Sequence, residues 1–489
     1  MSATSSAGAA GGAPATLIRG ASWIVAWDEG QNRHVYRCDG DVAFAGGRLL
    51  QAGGRFAGEA LEVIDGRGRM VMPGLVNVHA HSADEAMSKG LFEDVGTPAL
   101  HGNQLYTYSQ LLEDDPEALA PCTRVTLGGL LLSGVTTVVD LSVPYEGWIG
   151  ELAQSGMRVV AGPLFREARW RAQGWHRLDY EWDEAAGRRS FERALAVLDE
   201  VAADPSGRLS GILAPSQADT CSPGLLREVR DEARRRGLKV TLHAAQTMSE
   251  LDEMLRRHGL GTVAWLEREG LLTPDLILGH GIYLDHHPRL RLRTAEDLGR
   301  LAAHGTGVAH CPVTFARTGM TLDSLGRYLR AGVRVGIGTD TWPYDMLEEL
   351  RQAILCARIT TGDVFDVSTG EAFHAATAGG ADLLGRLDLG RLAPGACADL
   401  VLVDLEDPAM RPLHDPLRSL VHAACGRAVR DVFVAGRRVV REGRLATIDL
   451  PAAAAALEAA QRRAIARIPG RDPWRRGLEE IAPRALPMG

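Results

Sequence analysis

The chain has 489 residues, 45% of them hydrophobic and 24% charged, with a formal net charge of −8. That length suits a barrel of roughly 250–350 residues plus an accessory domain. The acidic balance excludes a basic nucleic-acid face, since Lys89 and Lys239 are the only lysines and the arginines are scattered. No apolar run approaches the roughly 18–20 residues of a membrane span, so a membrane partner is excluded as well.

Residues 1–15 are rich in Ala, Gly and Ser, with no charged or apolar leader, and read as a disordered tail. From 16 to 70, short apolar runs are punctuated every few residues by Gly and Asp, which reads as the first part of a small β domain. From residue 71 the pattern changes to apolar strand followed by amphipathic helix. A turn and then a short apolar strand are predicted over 71–81, and strands over 134–140, 157–163, 209–214, 238–243, 275–280, 306–311 and 333–340, with helices such as 222–236, 294–304 and 345–359 between them. Eight such units over 71–388 predict an α/β fold, a (β/α)8 TIM barrel. Strand patterns return over 389–447. Together with 16–70 they predict one small β-sandwich domain formed by N- and C-terminal segments. Residues 448–489, rich in Ala and Arg, read as a surface helix and tail. Seven widely spaced cysteines with no C-x-x-C fit reduced thiols in the cytoplasm.

The first predicted barrel strand ends in His79-Ala80-His81. Side chains alternate along a strand, so these two imidazoles share a face. Strand five ends in His243, strand six in His280 and strand eight in Asp340. Strand ends of a barrel converge on one rim, where such folds place their chemistry. Three histidines and a carboxylate suit Zn²⁺, with Fe²⁺ or Mn²⁺ as alternatives.

As a set, these motifs resemble the amidohydrolase superfamily, in the branch that holds the s-triazine hydrolases and the adenosylhomocysteine, guanine and cytosine deaminases. PGLVNVHAH is similar to that branch's P-G-x-x-[ND]-x-H-x-H, LHAAQTMSE to its strand-five segment, and GHGIYLD, VAHCP and GIGTDTWPYDMLEELR to its last three strand ends. The resemblance implies that His79, His81, His243 and Asp340 bind one divalent metal ion, with His280 beside the activated water. Many relatives hold a second metal through a carboxylated lysine after strand four. Here that position reads Ala214-Pro215-Ser216 and neither lysine is near, which leaves one metal.

Two departures from the resemblance bear on the substrate. The deaminases carry Glu three residues after the strand-five histidine, and this chain has Gln246, which cannot shuttle a proton. Ser216 stands where the adenosylhomocysteine deaminases have His. The expected chemistry is therefore attack of metal-activated water on a C–N bond of a small, cyclic or heteroaromatic nitrogen compound, not a peptide. Asp340 accepts the water proton, His280 steadies the oxyanion, and Gln246 positions the substrate. The alternatives are an aminohydrolase or dechlorinase of a triazine-, purine- or pyrimidine-like ring, with Glu250 or Asp219 replacing the missing Glu, and a non-catalytic binding protein on this frame. Glu85, Trp170, His176, Ser216, Gln217, Arg317 and Trp342, all beyond strand ends, are the expected substrate contacts. A homodimer or higher homo-oligomer is expected.

Overall fold

A computed structural model describes residues 15–101, 105–112, 115–173, 176–292 and 294–488. The tail expected at residues 1–15 thus lies outside the described residues, apart from Ala15, which already begins a strand.

Eight parallel strands build the barrel in chain order: Leu75–Ala80, Val135–Ser142, Arg158–Phe165, the split pair Leu209–Gly211 and Ala214–Pro215, Val240–Ala244, Leu276–His280, Gly307–His310 and Arg334–Ile337. The first four pair side by side in one curled group, the last four in another. Single bridges join the groups, Leu213 to Val240 on one side and Ala80 to Asp340 on the other. The strands are almost continuously buried, as expected where helices cover a parallel sheet. The fourth strand was expected as one run. It splits because the Leu213 amide leaves the third strand and donates to Lys239 O on the side of the fifth, at 3.0 Å.

The turn expected at the head of the 71–81 stretch falls at Gly74, between two strands. Arg69–Pro73 pairs with Trp23 and Ile24 and with Leu400–Asp404 in the accessory sheet. Leu75–Ala80 then opens the barrel. From Met70 on both pieces are buried, so hydrophobic periodicity does not separate the accessory strand from the barrel strand that follows the turn. At the corner the Gly74 amide donates to Asp399 O, 3.0 Å away.

Strands from both chain ends share one nine-stranded sheet. Phe44 and Phe433 lie on strands with three others between them, which would put them about 19 Å apart in a flat sheet. Their ring centroids are 5.4 Å apart, so the sheet folds back on itself. Ile18, Ile24, Val42, Val71, Leu400 and Leu402 fill the space between its two layers.

Two further elements reach the barrel rim. After the third strand, where a loop was expected, Ala168–Gln173 and Arg177–Trp182 pair as an antiparallel hairpin. The C-terminal helix, Leu450–Arg471, starts where Asp449 accepts the Ala452 amide at 3.0 Å. Ala453, Leu457, Ala460, Ala464 and Ile468, three or four residues apart, form its buried face. That face packs on helix Pro116–Leu132, so this surface helix is docked rather than free.

Candidate active site

The strand ends bring His79, His81, His243, His280 and Asp340 to one point on the barrel rim. One ligand atom from each of His79, His243, His280 and Asp340 lies within 4.8 Å of the others, and all four residues are buried. His81 joins them, with Nε2 at 3.3 Å from Asp340 Oδ1 and 3.2 Å from His243 Nε2. His79 Nε2 is 3.5 Å from the same Asp340 oxygen.

The local backbone explains the convergence. Ala80 and Asp340 are bridged, and the Asp340 amide donates to His79 O at 2.8 Å while the His81 amide donates to Asp340 O at 3.0 Å. Asn77, in the middle of the apolar first strand, ties the same seam. Its Nδ2 donates to Thr339 Oγ1 at 2.8 Å, and its Oδ1 accepts the amides of His79 at 3.1 Å and Thr339 at 3.2 Å. Glycines give the His79 ring its room: a Cβ at Gly279 would fall 2.8 Å from His79 Cε1, and one at Gly338 would fall 2.7 Å from His79 Cβ. His280 and Asp340 hold left-handed backbone, φ 84° and 59°, a strained conformation for such residues.

The histidine tautomers show what the cluster accommodates. His81 Nδ1 lies 2.7 Å from Leu141 O, and His243 Nδ1 lies 2.5 Å from Ser216 O. A carbonyl oxygen only accepts, so Nδ1 carries a proton in both rings and the Nε2 atoms are turned toward each other. Two such nitrogens 3.2 Å apart, beside the Asp340 carboxylate, suit a proton or a metal ion held between them. Neither ring nitrogen of His79 or of His280 has a hydrogen-bond partner, although both rings are buried. Imidazoles oriented by backbone carbonyls, with unsatisfied nitrogens around a carboxylate, fit a divalent first-row cation.

The ionisation of these groups points the same way. Burial opposes ionisation of Asp340, yet His280, His79 and His81 around it hold its carboxyl well below the usual range. Burial works against charge on His81 too, but Asp340 beside it raises the ring to about 9. Burial pushes His243 and His280 well below their ordinary value, so both are neutral. The cluster thus pairs the charged Asp340 carboxylate with a His81 ring that takes up positive charge, beside neutral His243 and His280.

A cavity of about 240 Å³ opens above the cluster. His81, His243 and Asp340 reach its surface, while His79 and His280 lie beneath it. His280 packs between His79, at a ring distance of 4.7 Å, and Phe315, at 4.6 Å. Gln246 lines the cavity, as do Glu85, Trp170, Ser216, Gln217, Arg317 and Trp342. Trp170 is held by its indole N–H, which donates to Asp219 Oδ2 at 3.1 Å, and by the edge of Tyr106 at 4.9 Å. Arg317 lies over the Trp342 ring at 4.2 Å and donates to Thr341 Oγ1 at 3.0 Å.

His176, expected as a substrate contact, does not line this cavity. It sits exposed in the turn of the hairpin, its ring 6.3 Å from Trp474 of the C-terminal tail. It lies between the two paired strands, and no loop-based reading foresees a hairpin there. The two proposed substitutes for the missing Glu also lie off the cavity. Glu250 is buried behind the turn after strand five, where it accepts the amides of Ala245 and Gln246, both at 2.7 Å, and the Thr262 hydroxyl at 2.8 Å. Burial, reinforced by the charge of Asp219, raises Glu250 to about 7. Asp219 is spent on Trp170 and on the Tyr180 hydroxyl, the latter at 2.7 Å.

Sequence reasoning passed over Asn77 and Phe315. Asn77 had a signal, a lone amide inside an apolar strand at the [ND] position of the motif. Phe315 had none, because its place against His280 is set by the turn after strand seven.

Residues 70–439 match the family model described as the amidohydrolase family. A 5-methylthioadenosine/S-adenosylhomocysteine deaminase of Natronomonas pharaonis is 31% identical over 416 residues, 82% of this chain and 88% of that protein. The protein of that name from Pelotomaculum thermopropionicum is 31% identical over 443 residues, 88% of this chain and 95% of its own length. Among solved structures, an adenosine deaminase from Xanthomonas campestris with bound zinc superposes with a TM-score of 0.79 at 26% identity, covering 92% of this chain and 98% of that one. A mutant atrazine chlorohydrolase from Arthrobacter aurescens, complexed with zinc and atraton, gives 0.78 at 24% identity over 91% of this chain and 100% of its own, a likeness of fold alone.

Proposed function

Because this chain belongs to the amidohydrolase family, we propose that it is a metal-dependent hydrolase of a C–N bond in a small, cyclic or heteroaromatic nitrogen compound. The observation that carries this reading is the convergence of His79, His81, His243 and Asp340, with His81 and His243 turning Nε2 to each other beside the carboxylate, at the floor of a cavity walled by two tryptophans and an amide. His79, His81, His243 and Asp340 would hold the ion, with His280 close enough to share in the set. Zinc is the first choice, in keeping with the zinc bound by the adenosine deaminase neighbour.

When bound, such an ion supplies Lewis acidity and makes water acidic enough to ionise near neutral pH. Asp340 keeps its charge at neutral pH and reaches the cavity, so it takes the proton from the attacking water. His280, neutral and held by Phe315 under the floor, steadies the negative charge that develops above it. Gln246 offers an amide with both donor and acceptor to the substrate, and its own amide N–H is already fixed on Glu250. Trp170 and Trp342 line the cavity and offer aromatic surface to a planar ring.

Gln246 ranks the substrates. Cleaving an aromatic C–NH2 bond calls for a proton on the ring nitrogen, which a carboxamide cannot deliver. An amide, lactam, urea or cyclic imide needs only a polarised carbonyl, so hydrolysis at a carbonyl-like centre comes first. Deamination of a purine-like ring is the second reading, favoured by the deaminases at 31% identity. One experiment separates them: zinc-loaded wild type and Gln246→Glu are assayed on cyclic amides and on adenine-type amines. Ring opening by the wild type, with ammonia release appearing only in Gln246→Glu, supports the first reading. Ammonia release by the wild type overturns it in favour of the second.

The seven cysteines carry no disulfide, and no helix among the described residues is long and apolar enough to cross a membrane. With these features we place the protein in the cytoplasm, acting on a small molecule. Exposed Leu355, Ile359, Val364 and Phe365 support a homodimer or higher homo-oligomer.

A further inference from the structure

One wall of the cavity comes from the segment that follows the first barrel strand. Asp84, Glu85, Met87, Ser88, Leu105 and Leu112 all line it. The described parts of that segment are two short 3-10 turns, Glu85–Ser88 and Pro98–Leu100, and the eight-residue helix Leu105–Leu112. Such turns make few hydrogen bonds of their own, so something else must hold them in place.

The C-terminal helix does so. Gln461 Nε2 donates to Met87 O at 2.8 Å and to Lys89 O at 3.1 Å, using both protons of one amide. On the other side of the segment, the Lys89 ammonium sits 4.8 Å over the ring of Tyr344, two residues beyond Trp342. Arg463 and Arg467, on the same helix, reach Asp115 at 3.3 and 2.8 Å. Asp115 caps the helix Pro116–Leu132 by accepting the Glu117 amide. Those arginines are partly exposed, so their ion pairs add little; the doubly donating amide is the specific contact.

We infer that the C-terminal helix belongs to the substrate-binding apparatus, with Gln461 as a positioning residue that fixes the carbonyls of Met87 and Lys89 and so seats Met87 and Ser88 in the cavity wall. Gln461 itself does not line the cavity. The inference rests on reading that cavity as the substrate site. It implies that the size of the accepted substrate is set partly from outside the barrel.

Two variants of the full-length, zinc-loaded protein test it. Gln461→Met keeps length and helix preference but has no donors. Gln461→Glu keeps the shape and replaces the donors with acceptors that repel the two carbonyls. Hydrogen exchange, metal content and steady-state kinetics are measured for each. In both, exchange of residues 84–90 rises, exchange of 240–246 and metal content stay as in wild type, and KM rises about tenfold while kcat stays within about threefold. Unchanged exchange at 84–90 or an unchanged KM in both variants overturns the inference. So does a loss of metal, which would make Gln461 a general stabiliser. Should the wild type load zinc yet hydrolyse no C–N substrate, the functional reading fails, and the exchange data still decide whether Gln461 holds the wall.

Discussion

The floor of the cavity and its walls are built by different means. The floor is a set of strand ends whose side chains are aimed by backbone pairing: the Ala80–Asp340 bridge and the Asn77 contacts leave His79, His81 and Asp340 little freedom. The walls come from turns, a hairpin and loops, each held by a partner far away in sequence. Trp170 depends on Asp219, and Met87 on Gln461. A floor of this kind can keep its chemistry while walls of this kind change what is accepted, as expected when function is grafted on a shared barrel.

The largest test of that division is removal of the ion. Chelation should abolish turnover and lower Tm, with both restored by zinc, because a ligand that binds only the folded state stabilises it. Turnover that survives complete chelation, checked by metal analysis, removes the floor's role altogether. Next in size, Asp340→Asn keeps the shape and loses the proton acceptor; kcat should fall about 10³-fold, measured at matched metal content. A wall change should act elsewhere. Trp170→Ala should raise KM about tenfold through lost ring contact, with kcat nearly unchanged in steady-state assays. A kcat loss as large as that of Asp340→Asn would erase the distinction between floor and wall. The smallest effect belongs to His176→Ala, which should leave kcat and KM within about twofold, as for a surface change away from the site.

The same division separates what could be read in the sequence from what could not. His79, His81, His243, His280 and Asp340 were legible because each closes an apolar run, and a parallel barrel gathers such ends whatever the loops do. The turn before the first barrel strand was legible, but the strand ahead of it was not, since the apolar run on either side of Gly74 is buried in two different sheets. Trp170 and His176 lie within one predicted loop and separate only when that loop pairs as a hairpin. Glu250 and Asp219 read as spare proton carriers because both are acids near strand ends. Their place was decided by local partners, backbone amides for Glu250 and an indole and a phenol for Asp219. Gln461 carried no signal, because its two acceptors are main-chain carbonyls more than 370 residues earlier, with no pattern of their own.

The bridge between Ala80 and Asp340 is where the ring of strands fastens, and its two residues adjoin or supply the groups that would grip the ion. Clasp and reactive centre are therefore one object. Any movement that parts the first strand from the eighth must also pull the carboxylate away from His79 and His81, so the hoop cannot spring open at that seam and stay armed.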